Sequence, residues 1–236
     1  METNNVPMDV QLMPTAAAAA AVPSQLEQAF PCERVPFEEP HEWCHIAYYE
    51  MSNRVGEPFR ATHSQVIIDG FTHPSNAERF CLGGLTNVQR TSEIDRARRF
   101  IGHGVKLFHV RGNVFAECIS ENPVFVQSPI ANRRLQWHPA TVCKIPSTVR
   151  LKIFDSDDFT QVLSSAVNEG YESVYSLMHM CIIRMSFVKG WGADYRRHAV
   201  TCTPCWVEIH LDGPLKWLDT VLSTMRGPTQ SINSVD

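Results

Sequence analysis

The stretch Lys106–Cys118, KLFHVRGNVFAEC, decides the fold class. Two short runs rich in aromatic and aliphatic residues flank Arg111-Gly112-Asn113, which has turn chemistry, so the segment reads as a β-hairpin. Runs of the same texture lie on both sides. WCHIAYYEM (43–51) and FRATHSQVIIDGF (59–71) precede it, punctuated at Asn53 and Gly56-Glu57-Pro58. PVFVQS (123–128), TVCKI (141–145), VRLKIF (149–154) and CWVEIHL (205–211) follow. Many short strands separated by turns predict a mainly β protein built as an antiparallel β-sandwich, not a series of βαβ units.

Helical spacing interrupts this rhythm. Phe159, Val162, Leu163, Ala166 and Val167 recur at the spacing of one helix face, which predicts a helix over 157–169 with Ser156 as N-cap and Gly170 as stop. Glu172–Met185 is expected to continue as a second helix, with Leu177, Met178 and Cys181 on one side. A third begins at Pro214, carries the stripe Leu215, Leu218, Leu222 and Met225, and ends before Gly227-Pro228. The basic segment Glu93–Ile101 is a further candidate.

Of the 236 residues, 44% are hydrophobic and 19% charged, which excludes a wholly disordered chain. The net charge of −4 is unevenly placed. Residues 1–40 hold six acids and one base, Arg34, so the remaining 196 residues carry about +1. With six prolines and the run Ala16–Ala21, residues 1–40 read as a disordered acidic tail; 41–226 read as the folded domain and 227–236 as a flexible C-terminal tail. Most of the eight cysteines, including Cys44, Cys81, Cys118 and Cys181, sit in apolar runs and read as buried thiols, not a disulfide framework. There is no recognisable signal peptide, no Asn-x-Ser/Thr sequon and no apolar run long enough to span a membrane, so a soluble intracellular protein without membrane insertion is expected.

Few motifs carry chemistry. Cys202-Thr-Pro-Cys205 has the spacing of half a zinc site or a redox pair, but no second half follows. Gly102-x-Gly104 lacks the third glycine of a dinucleotide loop, and the sequence contains no Gly-x-Ser-x-Gly, GxxxxGK or HExxH. Ten histidines and eight cysteines select no particular catalytic pair. The expectation is a protein that is not an enzyme and needs no cofactor or metal. The segment Arg184–His198, RMSFVKGWGADYRRH, is different: four basic residues face one acid, Asp194, around a glycine-flexed loop with Tyr195 beside the arginines. Guanidinium forks and an ammonium suit a phosphate group. The block 155–172 holds five acids and no base, so basic and acidic faces could pair between subunits.

At this loop the sequence resembles the C-terminal Mad homology domain of the Smad signal transducers. The blocks WCHIAYYE, VGEPF, DGFTHPSNAERFCLGGLTNV, FAECIS, FVQSP, WHPATVCKIP, LKIF, IRMSFVKGWGADYRR and TPCWVEIHLDGPLKWLDTVL follow in the family's order across about 41–226. The resemblance implies a Smad/FHA-like β-sandwich with a three-helix bundle at one end and a loop–helix region at the other. It implies a signal transducer and transcriptional regulator of the TGF-β superfamily, in cytoplasm and nucleus, with no catalysis. A type I receptor kinase phosphorylates a C-terminal serine motif, and that tail binds the basic loop of another Smad subunit in a homo- or hetero-trimer. Carried over, Lys189, Tyr195, Arg196 and Arg197 match the phosphoserine pocket, with Lys152 a further contributor. Asp69 and Asp219 match subunit-interface acids, and Trp137 lies where the family binds extended peptides of anchoring proteins and transcription cofactors. The Tyr-Arg-Arg run is similar to the activin/TGF-β-responsive, receptor-regulated class, although Ala199 departs from it. The family's N-terminal DNA-reading domain is missing from the sequence, so no direct DNA contact is expected. The family tail ends Ser-Ser-x-Ser, whereas this one runs Ser231-Ile-Asn-Ser234-Val-Asp236, leaving Ser234 and Ser231 as candidate phosphorylation sites. The alternative reading is an inhibitory or modulatory Smad-like antagonist that occupies receptors or partner Smads.

Overall fold

In the computed structural model the described residues are 35–228, all within the unit Val35–Asp236. Along the chain come β1 (Cys44–Glu50), β2 (Asn53–Arg54), β3 (Phe59–Ala61), β4 (Gln65–Asp69), β5 (Arg79–Cys81), α1 (Ser92–Arg99), β6 (Val105–Val110), β7 (Asn113–Cys118) and β8 (Val124–Gln127). Then follow α2 (Pro129–Arg134), β9 (Cys143–Ile145), β10 (Arg150–Phe154), α3 (Ser156–Glu169), α4 (Tyr171–Ser176), β11 (Ile182–Phe187), β12 (Trp206–Leu211) and α5 (Asp212–Thr224).

Two sheets form the sandwich. One runs β2-β1-β12-β11-β8-β9, with β3 also paired to β1; the other runs β10-β7-β6-β4-β5. All pairings are antiparallel except β4 with β5, which is parallel. The inner faces meet in one core that includes Ile46, Ile68, Leu107, Ile153, Ile183, Val207 and Ile209, all fully buried. Each such side chain contributes roughly 1.5–3 kcal/mol of burial.

The hairpin expected from KLFHVRGNVFAEC is β6–β7. Val105 and Leu107 face inward opposite Cys118 and Ala116, as the alternation requires. Its turn is two residues, not three: Arg111 (φ 50°) and Gly112 (φ 74°) both lie in the left-handed region, as a type I′ turn needs, and Asn113 already pairs with Val110. The long run 59–71 is two strands, β3 and β4, placed in different sheets.

The helices depart from expectation in instructive ways. α3 forms as predicted, but its N-cap is Asp155, not Ser156: the Asp155 carboxylate accepts the N–H groups of Asp157 (3.0 Å) and Asp158 (3.2 Å). The second predicted helix stops short. After α4 and a 3-10 turn over Leu177–Cys181, residues Ile182–Met185 are strand, because β11 pairs with both β12 and β8 and the two isoleucines suit a sheet. α2 is an element that periodicity did not reveal, although Ser128-Pro129 is a helix-start signal: Ser128 caps Ala131 N–H and Pro129 opens the helix. α1 and α5 lie where expected, and α4 packs against both α3 and α5. Val35–Pro40, assigned by composition to the tail, lies along α5: Trp217 Nε1 donates to Val35 carbonyl oxygen (3.0 Å), and Phe37 meets Trp217 edge-on. None of the described helices is long and apolar enough to cross a membrane.

A buried carboxylate ties the loop–helix region to the large sheet. Glu50, fully buried at the end of β1, accepts from Tyr48 Oη (3.1 Å), Asn87 Nδ2 (2.7 Å) and Arg90 Nε (3.0 and 3.1 Å). Arg98 of α1 places its Nε 3.3 Å from the same carboxylate, too poorly aligned for a hydrogen bond. Its Nη2 donates to the carbonyls of Leu82, Gly83 and Leu85. Removing the acid leaves two nearly buried guanidinium groups without their counter-charge, so Glu50→Ala is expected to cost about 3–5 kcal/mol in urea unfolding. A loss under about 1 kcal/mol, the range of an exposed pair, would contradict this account.

Asp155 gives a pH signature. Burial opposes its ionisation, but hydrogen bonds from Lys152 Nζ and from the N–H of Asp158 and Asp157 outweigh that and hold its carboxyl below the ordinary value of 3.8. A depressed folded-state value stabilises the fold above the unfolded value and is lost as pH falls through the folded one. Wild-type stability should therefore decline as pH falls below about 4, and Asp155→Asn, which caps about as well, should flatten that decline because it lacks the charge that Lys152 holds at neutral pH. Urea titrations from pH 2 to pH 7, roughly the span in which carboxylates titrate, check both.

Candidate functional site

The outer face of the large sheet carries a row of side chains set by strand register. Tyr49 on β1 pairs with Trp206 on β12, Trp206 with Ser186 on β11, and Ser186 with Phe125 on β8. Tyr49 and Trp206 stack at 4.3 Å, and Trp206 Nε1 donates to Met51 carbonyl oxygen (2.7 Å). The chain leaving β11 folds back over this row. Phe125, Trp191, Val200 and Trp206 form a second buried cluster, with Tyr49, Val142 and Tyr195 against its edge. The basic loop therefore rests on an apolar floor.

The floor fixes the loop's backbone. Gly190 has no room for a side chain: a Cβ there would lie 2.6–2.9 Å from the rings of Tyr195 and Phe125. Ser186 Oγ donates to Lys189 carbonyl oxygen (2.6 Å), Gly192 N–H to Arg197 carbonyl oxygen (2.8 Å) and Tyr195 N–H to Gly192 carbonyl oxygen (3.1 Å). Tyr195 meets Phe125 edge-on at 5.4 Å. Burial, then the charge of Asp194 and of Cys143, pushes its phenol up, so the hydroxyl stays a donor at neutral pH.

The basic side chains divide into two kinds. Arg184 pairs with Glu208 on β12 (3.2 Å), and Arg197 pairs with Glu93 on α1 (2.9 Å). Lys189 and Arg196 are exposed, and among the described residues neither has an ion-pair partner. Two uncompensated cations and a protonated phenol share one loop. Such a set can hold an anion with several acceptor oxygens.

The other sequence-derived candidates lie elsewhere. Lys152 is on β10 of the smaller sheet, where its ammonium is taken by Asp155 (2.8 Å) and lies 5.5 Å from the Phe115 ring. Asp69, at the end of β4, is 1% exposed; it accepts Phe71 N–H (2.9 Å) and Arg79 Nε, so its charge is met inside the protomer. Asp219 is exposed on α5 and has no ion-pair partner among the described residues. Trp137, just after α2, is 44% exposed beside the similarly exposed Leu135, with its backbone N–H held by Asn132 carbonyl oxygen (2.8 Å). Ser231 and Ser234 lie outside the described residues.

Sequence reasoning missed Ser186, whose small side chain belongs to the floor, and Glu50, whose place at a strand end reads equally well as solvent-facing. Cys202 is exposed, whereas burial pushes the Cys205 thiol up to about 12, so the Cys-x-x-Cys does not present two ready thiolates. Among the described residues no three His, Cys, Asp or Glu side chains converge on a metal position.

The family model described as MH2 domain matches residues 41–212. Among solved structures, the IAD domain of interferon regulatory factor 9 is similar at 9% identity and a TM-score of 0.53, covering 80% of this chain and 92% of that one. A chain from STAT2 in complex with IRF9 is similar at 12% identity and a TM-score of 0.52, covering 79% of this chain and 99% of that one. At these identities the likeness establishes the fold.

Crowding at Gly190 makes the floor testable. Gly190→Ala should displace the Tyr195 or Phe125 ring and cost about 1–3 kcal/mol, with a changed near-UV circular dichroism. Gly227→Ala, where nothing lies within 4 Å, is the control, with a change within about 0.5 kcal/mol. Equal effects at both positions would refute the packed floor.

Proposed function

The chain belongs to the MH2 domain family, and on that premise we propose that it is a signal transducer and transcriptional regulator of TGF-β-superfamily signalling that binds phosphoserine through the loop 188–198. MH2 domains act by binding other proteins, and this one is a protein-interaction domain of the Smad kind. The observation that carries the finer reading is that Lys189 and Arg196, exposed and uncompensated, share one loop with Tyr195, whose ring packs on a buried aromatic floor. A phosphoserine brings about −1.5 to −2 charge and three acceptor oxygens, which such a loop matches in charge and donors.

In this reading a type I receptor kinase supplies the phosphate, and the phosphorylated tail of one Smad subunit docks on the loop of the next to close a trimer. Anchoring proteins and transcription cofactors bind on the Trp137 side. The protein works in cytoplasm and nucleus, by assembly and not by catalysis, and without direct DNA contact. Lys152, held by Asp155 on the smaller sheet, contributes only if a phosphate competes for its ammonium.

Fluorescence anisotropy with a labelled peptide ending in Ser-Ser-x-Ser, phosphorylated on its serines, tests the reading beside light scattering of the protein with and without that peptide. The phosphopeptide should bind at least tenfold more tightly than its unphosphorylated control, and Lys189→Ala or Arg196→Ala should each weaken it by roughly 10–100-fold. Indifference to phosphate would overturn it. Receptor-kinase binding without any oligomer would favour the antagonist instead.

A further inference from the structure

Val188 is a β-branched residue with φ 67°, in the left-handed region that such side chains rarely adopt. Its turn is closed as tightly as a chain allows: Lys189 N–H donates to Phe187 carbonyl oxygen (2.6 Å), a three-residue γ-turn of the strained, positive-φ kind. The strain is held from every side. Phe187 N–H is anchored to Cys205 carbonyl oxygen (3.0 Å), and Val188 N–H to Pro123 carbonyl oxygen (3.3 Å). The Val188 side chain packs on the main core, Ser186 Oγ clamps Lys189 carbonyl oxygen, and Gly190 is wedged against Tyr195 and Phe125. Between Ser186 and Trp191 the Lys189 side chain is the one that reaches solvent fully.

We propose that Val188 is a positioning residue: its strained turn fixes the backbone of Lys189, so that the ligand has only the side-chain rotamers left to order. The ligand class is that of the preceding section, on whose phosphoserine reading this inference rests. A group held before binding loses less freedom on binding, so the turn contributes affinity without touching the phosphate. Such over-determined strain concentrates where geometry matters to a site.

Two substitutions separate backbone from packing. Val188→Gly removes the constraint and the side chain; Val188→Asn removes the apolar, β-branched side chain but keeps a Cβ and tolerates a positive φ better than valine. With the labelled Ser-Ser-x-Ser phosphopeptide and the full chain, Val188→Gly should weaken binding about fivefold and Val188→Asn less than about twofold. In a Lys189→Ala background Val188→Gly should have no further effect, whereas in an Arg196→Ala background it should keep its full effect. Equal losses for Gly and Asn, no loss for Gly, or an undiminished loss without Lys189 would each overturn the proposal. Backbone ¹⁵N relaxation of the wild-type protein supplies a readout free of the peptide. The Lys189 amide should be as rigid as that of Phe187; a mobile Lys189 amide overturns the proposal even if the glycine variant does not fold. A rigid Lys189 in a protein indifferent to the phosphopeptide would instead sink the phosphoserine reading and leave the positioning claim standing.

Discussion

The Glu50 carboxylate is the constraint on which the arrangement of loops depends. It lies fully buried at the end of β1, and a lone buried charge is too costly to keep. Arg90 and Arg98 therefore have to come to it, and they bring their surroundings with them: Arg98 carries α1, and its Nη2 gathers the carbonyls of the 3-10 turn at Leu82–Gly84. One acid thus decides where the loop–helix region sits against the large sheet. The consequence reaches the outer face as well, because Glu93 on the same helix holds Arg197 of the basic loop. That surface pair is weak by itself, of the order of 1 kcal/mol or less. The helix presenting Glu93 is nevertheless fixed from inside.

The second constraint is register. Because side chains alternate along a strand, the pairings Tyr49–Trp206, Trp206–Ser186 and Ser186–Phe125 put four side chains in line on one face, while Tyr48, Val207, Met185 and Val126 line up on the other. A shift of one residue would exchange the two rows, turning the floor toward the second sheet and the core row toward the loop. Beneath the loop both faces of this sheet are consequently committed, one to the second sheet and one to the loop, whereas further along the same strands the outer face carries Arg184, Glu208 and His210.

That double commitment explains what the sequence made legible. The β6–β7 hairpin was readable because its outer face is left open, so Lys106, Phe108, Phe115 and Glu117 alternate with buried neighbours, and Arg111-Gly112 supplies the turn. α5 was readable from Pro214 and its leucine stripe. β11 was not: Leu177, Met178 and Cys181 carry helical spacing up to its start, and only the long-range pairing with β12 and β8 marks where the helix must end. The loop's charge and glycines were visible in KGWGADYRR, but the reason it is rigid was not. Ser186 is an ordinary strand residue in composition, and nothing in one-dimensional pattern says that Val188 is left-handed. Asp69 and Lys152 show the same limit for charges. Each looks available in sequence, and each is met by a neighbour ten and three residues away, Arg79 and Asp155.

Unpaired cations alone do not single out a site. Arg54, Arg133, Lys144 and Lys216 are also exposed and without an ion-pair partner among the described residues, as surface bases commonly are. What separates Lys189 from them is the backbone beneath it. A long side chain on a free surface must surrender its motion and that of its main chain to hold a ligand, which consumes much of what a charge-assisted hydrogen bond provides. At Lys189 the main chain is already fixed by Ser186, by the turn at Val188 and by the close packing at Gly190, so only side-chain rotamers remain to be ordered. The domain's near-neutral net charge, about +1 outside the acidic residues 1–40, is then no argument against binding an anion. Attraction at a few ångströms is decided by which charges are uncompensated and held in place; two are uncompensated at this loop, and the main chain of Lys189 is held.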